Sequence, residues 1–498
     1  MQNHSNIIID VFGKRTLEYV FEVLAKFNRG ISTLTLRSLG GSISKGVEIA
    51  RILKNEFGIS IENNKIETLK INVEEKNSQY YLDTACLKIT LKSNQSQTQK
   101  ELSEYKFPMS EFIDFPIYHL LFDWLLGENK ELHIFTYNDR PLISVIERDG
   151  EIKYRKNSAN QMNDKISSDI GDAFYRGGLL LPNNWQKIAK KLSEFDDVLL
   201  GIDTNILYNC TISEHLIPAI LLINTKNYVN TPNWILLVVP SAVMHEIEES
   251  ANIRSKGFLQ LEGRMGFRAL QEIIELGQST DISGVSLVIV GEANPILDTR
   301  VEIQGLRKDF FKREKLKSRG SQEKVDISRL YRSMKTSSGD MIIRDQFKAF
   351  LKQINFHKGI YFLTADKSNT ALARTEGLHP IYFPFPFDFF KNHSEISPYS
   401  IETKNGEKLT INVPLGKLIY EMAVQFGTIK IKWNNKEITV QCDTHGETLD
   451  YWICRNLKIG KEDFNKLLPR DYTGVFDLND VTNIWHELTE SLIGLENM

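Results

Sequence analysis

Between residues 198 and 388, five short apolar runs alternate with stretches that have helical periodicity. The runs are VLLGID, WILLVVP, VSLVIV, IYFLTAD and PIYFPF, and the helical stretches between them include SAVMHEIEE and GDMIIRDQFKAFLKQI. Such runs have the character of strands, and strands that alternate with helices favour a parallel sheet covered on both faces. The pattern therefore predicts an α/β unit in this part of the chain.

The length of the chain and its charge limit the other possibilities. A chain of 498 residues is too long for one ordinary hydrophobic core and predicts roughly three or four domains. With 25% charged residues and a formal net charge of -3, neither wholesale disorder nor a uniformly basic surface is indicated, so nucleic-acid binding would need local patches. No G-x-x-x-x-G-K or G-x-G-x-x-G motif indicates a phosphate-binding loop for ATP or NAD.

The sequence also predicts the cellular compartment. The four cysteines are scattered, with no C-x-x-C pair, which fits a reducing cytosol. The N-terminus lacks the profile of a signal peptide, and the apolar runs fall well short of the ~20 residues that cross a bilayer. We therefore expect a soluble cytoplasmic protein without a membrane partner.

The first 95 residues alternate strand and helix signals in a compact order. NIIIDVF and STLTLRSL have strand character, and two strands near 65–75 and 84–92 complete a βαβαββ unit. An apolar helical stripe follows each of the first two strands: Leu17, Val20, Leu24 and Phe27 after the first, and Ile43, Val47, Ala50, Leu53 and Phe57 after the second. The Gln- and Ser-rich SNQSQTQ then resembles a linker. Residues 97–197 carry further helix and strand signals without assignable chemistry, and residues 389–498 resemble a small separate α+β module.

Four acidic residues follow strands or lie in helices of the unit at 198–388. Asp203 and Asp366 each close a strand, where functional groups gather in open α/β sheets. Glu246 lies about one turn into the helix after WILLVVP, and Asp340 begins a helix after the small residues TSSG. Taken singly, Asp203 and Asp340 could be helix N-caps, Asp366 a turn residue before KSN and Glu246 a solvated helix residue. Together they would repel one another unless divalent cations neutralised them.

These segments resemble a PIN-domain nuclease over roughly residues 198–388. GIDTNIL resembles the first strand of that family with its acid, VPSAVMHEIEE its proline-led helix with a glutamate, SSGDMII its third acid and FLTADKSNTALA its fourth. The resemblance implies a PIN-like parallel sheet flanked by helices, and cleavage of phosphodiester bonds, usually in RNA, with Mg²⁺ or Mn²⁺. The catalytic and metal-binding residues that it implies are Asp203, Glu246, Asp340 and Asp366.

The chemistry of such a site follows from its oxygen ligands. One or two Mg²⁺ or Mn²⁺ ions held by carboxylates lower the pKa of a bound water and stabilise the leaving oxygen. Asp203 and Asp340 are the strongest candidates for direct ligands, and the other two acids would complete the cluster directly or through water. Supporting residues that would orient ligands or phosphate, unless they are plain turn and cap residues, are Thr204, Asn205 and Thr364.

A basic segment precedes Asp340. The spacing of 94 residues from Glu246 to Asp340 is longer than a compact PIN domain needs, and the excess falls at about 292–338. Between Arg300 and Lys335, 12 Lys or Arg stand against 5 Asp or Glu. Such a segment would attract a phosphate backbone and make binding sensitive to salt. A solvated helical hairpin with charged faces is the alternative.

The N-terminal unit resembles an Alba domain, a small module that binds DNA or RNA. The resemblance covers nearly all of residues 5–95 and rests on VFGKRTLEYVFEVLAKFNRG and LTLRSLGGSISKGVEIARIL. Leu39 and Gly41 stand where the family usually has arginines, which implies weaker non-specific affinity. A scaffold or dimerisation unit of the same fold is the alternative. The positions that the resemblance assigns to nucleic-acid binding are Lys14, Arg15, Arg37 and Lys45.

The sequence therefore predicts a multidomain α/β protein. Its leading function is a metal-dependent endonuclease that acts on single-stranded RNA, with the Alba-like module holding the substrate. A DNA-directed nuclease and a non-catalytic nucleic-acid-binding or scaffold protein are the alternatives, and the sequence is also compatible with a homo-oligomer. The predicted parts are an Alba-like βαβαββ domain at 1–96, a linker and α+β middle region of unknown role at 97–197, a PIN-like domain at 198–388 and a small α+β domain at 389–498.

Overall fold

The fold consists of two α/β units and one large antiparallel sheet. Among the residues that the structure describes, no helix is both long enough and apolar enough to cross a membrane. The computed structural model describes residues 7–11, 15–75, 78–93, 100–101, 112–148, 151–156, 164–180, 184–193, 195, 197–216, 234–251, 263–270, 272–273, 285–290, 327–354, 359–384, 395–411, 413–442, 456–468, 473–474 and 476–493.

The N-terminal unit is a four-stranded sheet with two helices, and its βαβαββ order is as predicted. The sheet order is β1-β2-β4-β3, with β1 parallel to β2 and the other pairs antiparallel. The hairpin strands begin earlier than predicted, because the pairing of β3 with β4 runs from Ser60 to Glu75. The elements are β1 (Ile7–Val11), α1 (Thr16–Asn28), β2 (Thr33–Leu39), α2 (Ile43–Phe57), β3 (Ser60–Glu75) and β4 (Ser78–Lys92).

Helix α1 is buried on more than the single face that its sequence suggests. Val20 and Leu24 of the predicted stripe are fully buried, and so are Phe21 and Val23 on other sides of the helix. Helix α1 packs against α2 within its own unit and against α3 (Phe115–Asn129) from the middle of the chain. The N-terminal unit is therefore docked into the rest of the protein.

A five-stranded parallel sheet forms the second α/β unit, and each of the five apolar runs contributes one strand. The sheet order is β12-β11-β10-β13-β14, and every neighbouring pair is parallel. Strands β11 and β12 lie on one side of β10, and β13 and β14 lie on its other side. The direction of strand order therefore reverses between β10 and β13, which is the switch point of the sheet. The strands are β10 (Asp197–Ile202), β11 (Trp234–Pro240), β12 (Val285–Val290), β13 (Ile360–Thr364) and β14 (Pro380–Tyr382). The helices are α6 (Thr204–Tyr208), α7 (Ser241–Ala251), α8 (Ile327–Gln353) and α9 (Lys367–Thr375).

An eight-stranded antiparallel sheet joins the middle and C-terminal regions. Its order is β15-β9-β8-β7-β18-β19-β20-β6, with β7 hydrogen-bonded to β18. The prediction of a separate module at 389–498 needs correction, because these backbone bonds make the two regions one sheet. The strands are β6 (Phe112–Ile113), β7 (Glu131–Thr136), β8 (Pro141–Arg148), β9 (Glu151–Lys156), β15 (Glu395–Ile396), β18 (Thr428–Trp433), β19 (Lys436–Gln441) and β20 (Leu457–Ile459).

The remaining described elements are two small strand pairs and the other helices of the middle and C-terminal regions. The paired strands are β5 (Lys100–Glu101) with β21 (Thr473–Gly474), and β16 (Ser400–Glu402) with β17 (Lys408–Thr410). The helices are α4 (Asp164–Arg176), α5 (Trp185–Ser193), α10 (Leu415–Phe426), α11 (Lys461–Leu467) and α12 (Leu478–Ile493).

Three distant parts of the chain meet at a buried ion-pair cluster centred on Lys417 of α10. Its Nζ lies 2.6 Å from Oε1 of Glu214, in the helical turn Ile212–Leu216, and 3.2 Å from Oε2 of Glu18 in α1. All three side chains are almost completely buried. Charges at this depth are tolerated only when they are paired, so the cluster fixes how the N-terminal unit, the parallel-sheet unit and α10 fit together.

Gly201 allows α8 to pack closely on β10. A Cβ atom at this position would lie 2.6 Å from the ring of Phe347, which is fully buried. We expect Gly201→Ala to force α8 away from the sheet and to lower the free energy of unfolding by about 1–3 kcal/mol. Urea denaturation measures the change. Phe347→Leu combined with Gly201→Ala should recover part of the loss, and no recovery would contradict the packing explanation.

Candidate functional site

Asp203 lies directly after β10, at the switch point of the parallel sheet, and is only 2% exposed. Its Oδ1 accepts a hydrogen bond from the backbone N–H of Thr204 at 2.9 Å. Its Oδ2 accepts three, from Asn205 Nδ2 at 2.9 Å, Thr364 Oγ1 at 2.5 Å and Asn369 Nδ2 at 2.8 Å. Burial raises the pKa of Asp203, and these hydrogen bonds oppose the rise.

The three predicted supporting residues all contact the acids or tie their strands together. The hydroxyl of Thr204 donates to Glu246 Oε2 at 2.6 Å, which links the end of β10 to α7. The side-chain oxygen of Asn205 accepts from the backbone N–H of Ala365 at 2.9 Å. Because Thr364 also donates to Asp203, these polar residues hold the ends of β10 and β13 together with the acids.

Asp340 lies in the interior of α8, whereas the sequence predicted that it begins a helix. The helix continues through TSSG, and Gly339 within it leaves space that a neighbouring side chain uses. A Cβ atom on residue 339 would collide with Oε1 of Glu246. The carboxylate of Glu246 therefore rests against the backbone of α8 beside Asp340.

The four predicted acids share one electrostatic environment. The pKa of Asp340 is raised to about 7, first by burial and then by the negative charges of Asp203, Glu246 and Asp366, against an opposing effect of Arg344. Such a rise shows that the acids lie near enough to repel one another.

Asp366 has two roles at the start of α9. Its Oδ1 accepts from the backbone N–H of Ser368 at 2.6 Å and from that of Asn369 at 3.3 Å, so it caps the helix, whereas the simpler interpretation predicted a turn residue. It also contributes to the field at Asp340. A cap role and membership of the acidic cluster are therefore compatible.

The raised pKa of Asp340 should make the cation-free protein less stable as the pH rises. The folded protein keeps a proton on Asp340 up to about pH 7, whereas an ordinary aspartate in the unfolded chain loses it near 3.8. The unfolded state therefore binds fewer protons between these values, and the free energy of unfolding falls as pH increases through them. Asp340→Asn should flatten this decline. The test measures the melting temperatures of the wild type and of Asp340→Asn in EDTA from pH 4 to 8. If the melting temperature depends on pH equally in both proteins, the prediction is wrong.

The oxygen donors of the cluster fit a hard divalent cation that keeps part of its water shell. Among the described residues, no three His, Cys, Asp or Glu side chains are arranged to hold one metal ion together. Mg²⁺ commonly uses only one or two carboxylates and retains several waters. A cation here would therefore take at most two of these acids as direct ligands and complete its shell with water.

Sequence reasoning missed three residues of this site. Asn369 contacts Asp203, Arg344 donates to Oδ1 of Asn369, and Gly339 makes room for Glu246. The only sequence signals were that Asn369 lies in the first turn after Asp366 and that Arg344 lies one turn after Asp340. Neither signal distinguishes these positions from ordinary helix residues.

Two of the predicted nucleic-acid-binding cations are buried, which corrects their assignment. Arg37 is 2% exposed, and its guanidinium binds Asp10 at 2.5 and 2.9 Å and Glu407 at 3.0 Å. The carbonyl of Lys408, next to Glu407, also accepts from Arg37. The segment around β17 therefore covers this part of β2 and removes Arg37 from the surface.

Lys45 is buried because the inward face of α2 differs from the predicted stripe. The buried positions include Ile49 and Leu53, one and two turns after Lys45, whereas Val47 of the predicted stripe is 51% exposed. Lys45 itself is 2% exposed.

The loop between β1 and α1 holds the other two predicted cations. Arg15 is partly exposed and lies 3.8 Å from Oε1 of Glu272. Lys14 lies outside the described residues.

Comparison with known proteins identifies the N-terminal unit. The family model described as Alba matches residues 8–68. DNA/RNA-binding protein Alba 1 of Archaeoglobus fulgidus is 31% identical over 67 residues, which are 13% of this chain and 75% of that protein. DNA/RNA-binding protein Alba of Thermoplasma acidophilum is 34% identical over 67 residues, which are 14% of this chain and 72% of that protein. The solved structure of Alba from Thermoplasma volcanium is 26% identical, with 17% of this chain and 99% of that chain covered and a TM-score of 0.15. Through residues 8–68, the chain belongs to the Alba family.

Proposed function

We propose that this protein is a metal-dependent endonuclease that hydrolyses phosphodiester bonds, preferentially in single-stranded RNA, and that its Alba domain helps to hold the nucleic acid. The observation that carries the proposal is the grouping of four acids around Asp340, whose pKa is raised first by burial and then by the charges of Asp203, Glu246 and Asp366. This cluster lies at the switch point of a parallel sheet, where open α/β sheets place their ligands. The resemblance of the same segments to PIN-domain nucleases supports the choice of reaction.

The four acids have two different tasks in the proposed reaction. Asp203 and Asp340 would hold Mg²⁺ or Mn²⁺ directly, and Glu246 and Asp366 would act through water. When bound, such an ion supplies an activated water and neutralises charge on the phosphate. Thr204 keeps Glu246 oriented by its hydrogen bond of 2.6 Å.

The Alba domain supports a nucleic-acid substrate. The two curated relatives of residues 8–68 are called DNA/RNA-binding proteins. Because Arg37 and Lys45 are buried, we assign the phosphate contacts to the loop that contains Lys14 and Arg15. The basic segment at 292–338, of which residues 292–326 lie outside the described residues and 327–338 begin α8, would add further contacts by its composition.

A non-catalytic nucleic-acid-binding protein is the second candidate. It is favoured by the hydrogen bonding of Asp203, whose Oδ2 already accepts three neutral donors. In that case the carboxylate would tie β10, β13 and α9 together as a structural residue. The two candidates differ in whether a divalent cation enables cleavage.

The deciding experiment offers end-labelled single- and double-stranded RNA and DNA to the protein with Mn²⁺, Mg²⁺ or EDTA. We expect single-stranded RNA to be cut internally with Mn²⁺ or Mg²⁺ and to remain intact in EDTA. Cleavage of DNA alone would assign the DNA-directed alternative. Binding without cleavage under every metal condition would establish the non-catalytic candidate.

A further inference from the structure

The two oxygens of Asp203 have unequal surroundings. Oδ2 accepts hydrogen bonds from Asn205, Thr364 and Asn369, whereas Oδ1 accepts one from the backbone of Thr204 in the described part of the chain. A carboxylate oxygen has two lone pairs, so three donors saturate Oδ2. Only Oδ1 retains capacity for a further ligand.

Asn369 is itself held by a buried arginine. Arg344 is 2% exposed, and its Nη1 donates to Oδ1 of Asn369, which fixes the amide so that Nδ2 points at Asp203. Arg344 is anchored in turn by Oε1 of Glu376, at 3.0 Å from Nε and 2.9 Å from Nη2. Glu376 also binds Lys348 at 2.9 Å. These contacts connect α8 and α9 to the carboxylate at the end of β10.

Arg344 also balances charge without occupying a ligand position. It lies one turn after Asp340 on α8 and is buried. Its own hydrogen bonds go to Asn369 and Glu376, so it takes no lone pair from Asp203. A buried cation in this place adds positive charge near the acids without occupying an acceptor position on Oδ1 of Asp203.

We infer that Arg344 is a positioning residue which, through Asn369, holds Asp203 so that Oδ1 is the oxygen offered to a divalent cation, an arrangement that favours Mg²⁺ or Mn²⁺ over Ca²⁺. Ca²⁺ takes six to eight oxygen ligands and readily uses both oxygens of a carboxylate, whereas Mg²⁺ needs compact octahedral geometry. An Asp203 that offers Oδ1 alone suits the smaller ions. This inference rests on the proposed function, because it concerns the same acidic cluster.

The test measures Mn²⁺ binding directly, by the loss of the free Mn²⁺ signal in electron paramagnetic resonance, and competition by Ca²⁺. Arg344→Gln and Asn369→Leu should each weaken Mn²⁺ binding by about 10–100-fold, as for other residues that orient metal ligands. Ca²⁺ should compete poorly both in the wild type and in these variants, because Asn205 and Thr364 still occupy both lone pairs of Oδ2. Effective competition by Ca²⁺ in the wild type would contradict the inference. Arg344→Lys keeps the charge but cannot bridge Asn369 and Glu376 in the same way. This variant should therefore also bind Mn²⁺ more weakly than the wild type.

Lys348→Gln is the matched control, because Lys348 also binds Glu376 but makes no contact with Asn369 in the described structure. It should bind Mn²⁺ as the wild type does. If Arg344→Gln does not fold, the result for Asn369→Leu decides. If the wild type binds Mn²⁺ and cleaves, and the Mn²⁺ affinity of Asn369→Leu is within about twofold of the wild-type affinity, this inference is wrong while the proposed function stands. A wild type that neither binds Mn²⁺ nor cleaves would overturn both this inference and the proposed function.

Discussion

Replacing Asp203 and Asp340 together by asparagine is expected to reduce metal-dependent cleavage by roughly a thousandfold or more, because the cation that activates water and stabilises the leaving oxygen would be lost. The asparagine side chains preserve volume and most hydrogen bonding, so the fold should remain. Asp203 is held by four donors, and Asp340 experiences the charges of three other acids. We therefore expect cleavage to be most sensitive to substitution at these two positions. The measurement is the initial rate of cleavage of labelled single-stranded RNA with Mn²⁺.

Asp345→Asn is the control for this double variant. Asp345 lies on the same helix as Asp340 but is exposed and paired with Lys348 at 2.7 Å. Its replacement should leave cleavage near the wild-type rate. A double variant that folds, as judged by circular dichroism, and still cleaves at a rate close to that of wild type would contradict the catalytic assignment of the two acids.

Lys417→Met is expected to lower the free energy of unfolding by about 3–5 kcal/mol, because it leaves the buried carboxylates of Glu18 and Glu214 without their shared cation. Lys417 is 0% exposed and lies within 3.2 Å of both acids. The three residues come from α10, α1 and the turn after α6, so the loss should also loosen the contact between the Alba domain and the parallel-sheet unit. Urea denaturation of the full-length protein measures the stability.

Lys432→Met provides the comparison on the surface. Lys432 is 33% exposed and pairs with Asp139 and Glu437, each at 2.8 Å. Exposed pairs contribute little, so the expected loss is at most about 1 kcal/mol. Equal losses for the two variants would show that the cluster around Lys417 does not hold these parts of the chain together.

The sequence was informative where a local pattern determines the structure. The βαβαββ order and the five strands of the parallel sheet follow from apolar periodicity, which depends on residues close together in the chain. Asp203 and Asp366 were identifiable because carboxyl ends of parallel strands share one edge. Thr204 and Thr364 were identifiable only as neighbours of those acids, and the structure shows that both donate to acidic side chains.

The errors concern contacts between distant segments. The pairing of β7 with β18 joins residues almost 300 positions apart, and no local signal distinguishes it from an independent module. Arg37 and Lys45 have the composition of a phosphate-binding surface, but their burial depends on the segment around β17 and on the rotation of α2. Arg344 and Asn369 become recognisable only when α8 and α9 are placed beside the end of β10.

The most direct test of the central claim is an anomalous difference map from crystals grown with Mn²⁺, with data collected at the manganese absorption edge. We expect a peak between Oδ1 of Asp203 and the carboxylate of Asp340 at the carboxyl ends of β10 and β13. The peak should disappear in the Asp203→Asn, Asp340→Asn double variant. An ordered acidic cluster without a manganese peak, under conditions in which the protein has access to the ion, would show that these acids do not form a metal site.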